Sequence, residues 1–152
     1  HKQYNSMKEE IDEAIATVIS NTAFIGGKHV ELFENKFASF LNSKFCIGVG
    51  SGTDELEIAI WSLDLPQGSE IIVPANSYIA TSESVSRNGH KVIFADVNED
   101  YLLNLSSIEK LITAKTKVII PVHLYGQPVN MYKVMELANK YDLKIIEPKI
   151  IR

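Results

Sequence analysis

The sequence predicts an α/β fold, a mostly parallel sheet with flanking helices, and three observations carry that reading. Short apolar runs rich in β-branched residues recur along the chain, at "EIIVP", "KVIFADV", "KVIIPVHL" and "LKIIE". Between them stand stretches whose apolar residues repeat at helical spacing. The runs are apolar nearly throughout instead of alternating, the pattern of parallel strands buried on both faces.

The first part of the chain has helices only. Ser6 and Glu9 have the spacing of a capping box, and Met7, Ile11, Ala14, Ile15 and Val18 follow on one helical stripe that fades at Asn21. After the loop "TAFIGGK", a second stripe runs through Val30, Phe33, Phe37, Phe40 and Leu41. These two helices lack strand partners and are expected to pack elsewhere.

From Phe45 the pattern alternates. "FCIGVG" is a strand, and "TDELEIAIWSLDL" a helix with Leu56, Ile60 and Leu63 on one face. "EIIVP" is a second strand, stopped by Pro74. "SYIATSESVSRNG" is a helix with Gly89 just past its end, and "KVIFADV" a third strand. Ser106 and Glu109 form a second capping box opening "SIEKLI". "KVIIPVHL", "MYKVMELANKY" and "LKIIE" complete the pattern as strand, helix and fifth strand. The expected organisation is a single α/β unit over 1–152: N-terminal helices in 1–44, alternating elements in 45–147 and a distinct tail in 148–152.

Composition narrows the function classes. The 152 residues are 45% hydrophobic and 22% charged, with mean hydropathy +0.01, against disorder. No apolar run reaches the roughly 18 residues a membrane span needs. Net charge is −4 and Lys and Arg are scattered, so the electrostatic footprint of a nucleic-acid binder is missing. Cys46 is the one cysteine, which excludes an internal disulfide, fits a reducing, cytoplasmic setting and reads as a core thiol in an apolar run. No His or Cys pair stands at ligand spacing, so no metal site is expected. The sequence opens on His1 instead of Met, which reads as a processed, tagged or cut end.

Five stretches could carry chemistry. In "GVGSGTDEL" three glycines end a strand and Thr53 opens a helix, an arrangement that lets backbone amides meet a phosphate. It is neither a dinucleotide fingerprint nor a P-loop, and the plainer reading is a tight turn with Ser51 or Thr53 as cap. "VPANSYIAT" delivers Asn76, Ser77 and Tyr78 to the sheet's carboxyl edge, where Tyr78 could stack on a flat ring or simply pack half-buried. His123 in "PVHLYGQP" is a structural hydrogen-bonding histidine or a catalytic one. Glu147 is an acid–base candidate or a solvated strand-end charge. "FIGG" is an interhelical turn or a loop lying close to a ligand or neighbouring subunit.

In their order, "FIGGKHVELFENKFASFL", "GVGSGTDEL", "GSEIIVPANSYIAT", "VIFADV", "TKVIIPVHLYGQPVNM" and "LKIIE" closely resemble the DegT/DnrJ/EryC1/StrS family of pyridoxal-phosphate-dependent nucleotide-sugar aminotransferases. The resemblance runs from about Gln3 to Glu147. It implies an incomplete fold-type-I large domain, pyridoxal 5'-phosphate as the family's cofactor, amino transfer from glutamate to a keto-sugar on a nucleoside diphosphate, and a homo-oligomer with sites at the interface. Carried over by position, Gly52, Thr53 and Asp54 would meet the cofactor phosphate, and Tyr78 would stack on its ring. Ile25, Gly26 and Gly27 would lie near the sugar-nucleotide site.

The departures shape the expectation. Where the family continues Glu-Asp, with that Asp holding the pyridine nitrogen, this sequence has Glu147-Pro148. "KIIR" matches nothing in the family pattern, Lys149 sits on the wrong segment to replace the family's catalytic lysine, and that lysine lies beyond Arg152. The chain is therefore expected to be a truncated piece with no catalytic residue of its own, inactive alone and with weak or absent cofactor binding. The alternative is a non-catalytic dimerisation or binding module that pairs with itself or with a separate C-terminal fragment.

Overall fold

A computed structural model of the chain describes residues 1–148. Two units emerge, one ending at Gly48 and one beginning at Val49, and each is described by itself.

The first unit is helical: α1 Lys2–Ser6, α2 Lys8–Ser20 and α3 Lys28–Phe40. The expected capping box at Ser6 does not form. The Ser6 hydroxyl donates to the Gln3 carbonyl at 2.8 Å, Met7 is the residue before α2, and no side chain caps that helix. The short α1 captures Ser6 for its own last turn, so the hydroxyl is spent before α2 begins. The apolar stripe on α3 is real: Phe33 and Phe37 stack at 5.4 Å between ring centroids, and Phe37 meets Phe40 at 6.4 Å. Yet Ala38 is the one buried residue of that helix, and Phe40 is 82% exposed.

The expected strand "FCIGVG" is absent. Residues 45–49 join no ladder among the described residues, Phe45 and Ile47 lie exposed, and Cys46 is half-buried instead of sealed in a core. β-branched and aromatic residues supply propensity, but a strand exists only against a hydrogen-bonded neighbour.

The second unit is the predicted sandwich of helices on a parallel sheet. α4 Gly52–Trp61 leads to β1 Glu70–Pro74, α5 Ile79–Arg87 and β2 Lys91–Ala95. α6 Leu105–Ile108, with a 3-10 turn Glu109–Leu111, precedes β3 Thr116–Ile119; α7 Met131–Tyr141 precedes β4 Lys144–Ile145. The strand order is β2-β1-β3-β4 and every pairing is parallel, with Ile72 opposite both Ile93 and Ile119. Among the described residues four strands stand where five were expected, and β3 and β4 are shorter than their apolar runs.

β1 shows why its sequence is apolar at every position. Ile71 and Val73 pack with Leu56, Ile60 and Val85 of α4 and α5, while Ile72 packs with Ile108, Ala138 and Leu143 on the α6 and α7 side. Both faces are covered, so no residue of β1 faces water. The second expected capping box fails as well. Asn104 precedes α6 without capping it, and Ser106 Oγ donates to Asn104 Oδ1 at 2.7 Å, leaving Glu109 to accept from Lys140 at 2.8 Å. Gly89, with φ +74, ends α5 in the left-handed conformation as its position predicted.

This order places a topological switch point between β1 and β3, where the chain hops over β1 from β2 and changes faces. In open α/β sheets the crevice at the carboxyl ends beside such a point receives ligands. Pro148, the first residue of the expected tail, is buried. The rest of that tail, Lys149 included, lies outside the described residues.

Candidate functional site

The site is built from the loops leaving the carboxyl ends of β1, β2 and β3, together with the start of α4. Ser51, extended at φ −160 and ψ 169, caps α4, and its Oγ accepts the Asp54 amide at 3.2 Å. The Glu55 amide bonds to the Ser51 carbonyl at 3.0 Å. Among the described residues, that leaves the amides of Gly52 and Thr53 without an acceptor at the positive end of a ten-residue helix. A Cβ placed on Gly52 would meet nothing within 4 Å.

Two unpaired amides at a helix start fit a phosphate ester. Asp54 contributes differently from the other two residues. Its amide is spent on the cap, and its carboxylate folds back so that a Cβ on Gly50 would come within 2.6 Å of Oδ2. Glycine at position 50 is what lets that carboxylate lie there.

After β1, Ser77 Oγ donates to the Pro74 carbonyl at 3.2 Å, closing the turn. Tyr78, at φ −62 and ψ 142, precedes α5, and its ring is 66% exposed. Tyr78 is thus exposed, not half-buried, in this structure. Asn76 is used structurally: its Nδ2 donates to the Tyr101 carbonyl at 3.0 Å, tying the β1 loop to the β2 loop.

The two remaining strand-end candidates meet. His123 Nε2 lies 2.8 Å from Glu147 Oε1, while Nδ1 accepts the Val129 amide at 3.0 Å. Because an amide can only donate, Nδ1 carries no proton, and neutral His123 bears its proton on Nε2, donating it to Glu147. The pairing joins residues 24 apart, which no local spacing announces. It had to be found in space. Pro148 follows directly and offers neither a side-chain donor nor an acceptor.

In the helical unit, Ile25 is 97% exposed, and Gly26 and Gly27 sit at φ +59 and +79 with no neighbour within 4 Å of a built Cβ. Gly27 opens α3, its carbonyl accepting the amides of Val30 and Glu31. The backbone accounts for both glycines, and the loop is open to a ligand. No group of three or more metal-ligating side chains exists among the described residues. No helix there is long and apolar enough to cross a membrane.

Comparison with known proteins extends this geometry. The sequence profile of the DegT/DnrJ/EryC1/StrS aminotransferase family matches residues 5–148. A dTDP-3-amino-3,6-dideoxy-α-D-galactopyranose transaminase of Aneurinibacillus thermoaerophilus is 42% identical over 142 residues, which are 92% of this chain and 39% of the relative. The solved structure of DesV from S. venezuelae superposes with a TM-score of 0.91 at 36% identity, covering 97% of this chain and 40% of that one. That of NtdA from Bacillus subtilis, with bound cofactor PMP, gives 0.89 at 36% identity, covering 95% and 33%. The chain thus spans between a third and two fifths of the length of these relatives. Its parallel sheet and flanking helices are part of a fold-type-I large domain, and the chain belongs to the DegT/DnrJ/EryC1/StrS aminotransferase family.

Proposed function

We propose that this chain supplies the phosphate-holding and ring-stacking part of a pyridoxal-phosphate-dependent aminotransferase that moves an amino group from glutamate to a nucleotide-linked keto-sugar. The observation carrying the proposal is the pair of unpaired Gly52 and Thr53 amides at the start of α4. When bound, the cofactor supplies an electron sink for amino transfer.

The chain's own residues do the following. Gly52 and Thr53 donate to the phosphate through their amides, and the dipole of α4 favours its charge. Ser51 keeps that helix start in register by occupying the third amide. Asp54, whose amide is held by Ser51 Oγ, is assigned with Gly52 and Thr53 to the phosphate end of the site. Tyr78 stacks on the ring and excludes water from one face. His123 holds Glu147 through Nε2–H, fixing the end of β4 against that of β3. At the position where a ring-nitrogen acceptor is expected from the family pattern, Pro148 can provide none. The reading therefore gives this chain cofactor holding without a side-chain partner for the ring nitrogen. Ile25, Gly26 and Gly27 are assigned to the nucleotide-sugar side of the site, and the whole protein is read as a homo-oligomer without nucleic-acid or membrane partners.

Equilibrium dialysis of the chain against pyridoxal phosphate and against pyridoxal tests this. The phosphate ester should bind more tightly, and borohydride should leave no lysine adduct at a unique site. A single borohydride-fixed lysine, with turnover of glutamate, would contradict the non-catalytic assignment. Equal affinity for the two compounds would contradict the phosphate cradle.

A further inference from the structure

The buried residues of α5 are Ala80, Thr81, Ser84 and Val85, whereas α4 turns Leu56 and Ile60 inward. A helix that packs through short side chains can approach its neighbour closely, and here side chains of α5 reach the backbone of α4. Asn88 Nδ2 donates to the Glu57 carbonyl at 3.1 Å and to the Ser84 carbonyl at 2.9 Å, which uses both of its hydrogens. Ser84 is fully buried; its Oγ donates to the Ala80 carbonyl at 2.7 Å and stands 3.4 Å from the Thr53 carbonyl. The one hydroxyl hydrogen belongs to Ala80, so against α4 Ser84 acts by its size. Arg87 adds a bond to the Glu57 carboxylate at 3.3 Å, weakened by exposure.

These contacts set a register. Ser84 and Asn88, one turn apart on α5, meet Thr53 and Glu57, one turn apart on α4. The numbers rise together, so the two helices run parallel and both begin at the carboxyl edge of the sheet. Apolar packing of Leu56 and Ile60 is non-directional and allows α4 to slide along its axis. A hydrogen bond to one particular carbonyl does not.

The starts of the two helices carry the two ends of the candidate site. α4 opens on the Gly52 and Thr53 amides, and Tyr78 stands immediately before α5. The register puts Tyr78 about five residues, roughly 7 Å of helical rise, beyond the level of Gly52.

We propose that Asn88, with Ser84, is a positioning residue that fixes the spacing between the phosphate-holding amides of α4 and the ring of Tyr78. The proposal rests on the roles given to Gly52, Thr53 and Tyr78 in the preceding subsection. Asn88 and Ser84 act through the helices they join. A ligand whose anionic end and flat ring are joined by a short bridge profits from both contacts only when the two receptors already stand at its own spacing. The second contact then forms at a high effective concentration. A loose seam between α4 and α5 would let each end bind alone and would lose that advantage.

Dissociation constants of the chain for pyridoxal phosphate, pyridoxal and inorganic phosphate test this. The product of the two fragment constants, divided by the constant for pyridoxal phosphate, is an effective concentration that reports the spacing and not the strength of either contact. Asn88→Ser keeps one hydroxyl hydrogen, which can serve the Ser84 carbonyl at the end of α5 but not the Glu57 carbonyl as well. It should lower the effective concentration about tenfold, the scale of one lost hydrogen bond. Ser84→Thr, which adds a methyl group at a fully buried contact, should lower it too, by wedging α4 away from α5. A variant that was only less stable would melt lower and leave the effective concentration of its folded form unchanged. An unchanged effective concentration in either folded variant would therefore overturn the positioning role. A wild-type chain that binds pyridoxal as tightly as pyridoxal phosphate would instead overturn the phosphate reading beneath it.

Discussion

His123 Nε2 stands 2.8 Å from Glu147 Oε1, and the Val129 amide fills the other ring nitrogen at 3.0 Å. The imidazole side chain is 12% exposed and joins the end of β3, the loop before α7 and the end of β4. Neutral His123 should show a protonated Nε2 and an unprotonated Nδ1 in nitrogen-15 spectra of the ring. The opposite tautomer would contradict the arrangement. His123→Ala should cost about 1–2 kcal/mol by denaturant titration, reduced by the partial exposure of Glu147.

Ser51 Oγ accepts the Asp54 amide, so Ser51→Ala should destabilise the second unit by about 1 kcal/mol. Ser51→Asp should restore stability, since aspartate caps equally well, while weakening phosphate binding by repulsion. Calorimetry and a phosphate titration on both variants check the two effects separately.

Glu70 lies at the opposite end of the sheet, with a side chain 7% exposed. Thr113 Oγ1 donates to it at 2.6 Å and Lys91 Nζ at 3.1 Å, and these bonds, Thr113 first, hold its pKa below the ordinary 4.5. A carboxyl whose folded pKa is depressed stabilises the fold above its unfolded pKa and loses that contribution as pH falls through the folded value. Stability should therefore decline below about pH 4.5, and Thr113→Val should move the acid unfolding midpoint upward. A midpoint that does not move would contradict the assignment.

Ile72 is fully buried at the centre of β1 and packs toward the α6 and α7 side. Ile72→Ala should cost about 2–5 kcal/mol, and Ile72→Val about 0.5–1.5 kcal/mol. Urea titrations followed by circular dichroism would measure both.

The sequence made the sheet legible because parallel strands need apolar residues on two faces, and Ile71, Ile72 and Val73 announce that at once. Helix stripes were equally plain on α4 and α7. Caps were less so: Ser6 and Ser106 have box spacing, but neighbouring backbone and Asn104 took their hydroxyls. The apolar run at 45–49 showed propensity without revealing whether a ladder partner exists. In the candidate site, the Ser51–Thr53 turn was visible from its glycines and cap residues. The His123–Glu147 bond was not, since it joins residues 24 apart through the fold alone.

The central claim is that the Gly52 and Thr53 amides hold a phosphate, and Gly52→Pro tests it most directly. Position 52 is the first residue of α4, where proline is favoured and its missing N–H costs the helix nothing. The preceding Ser51 is already extended, as a residue before proline must be. Nothing lies within 4 Å of a built Cβ. The variant should melt within a few degrees of the wild type, a margin of about 1 kcal/mol for a domain of this size. Its pyridoxal phosphate affinity should fall about tenfold or more, the loss of one hydrogen bond to a charged group. A folded Gly52→Pro chain that binds pyridoxal phosphate as tightly as the wild type would contradict the account.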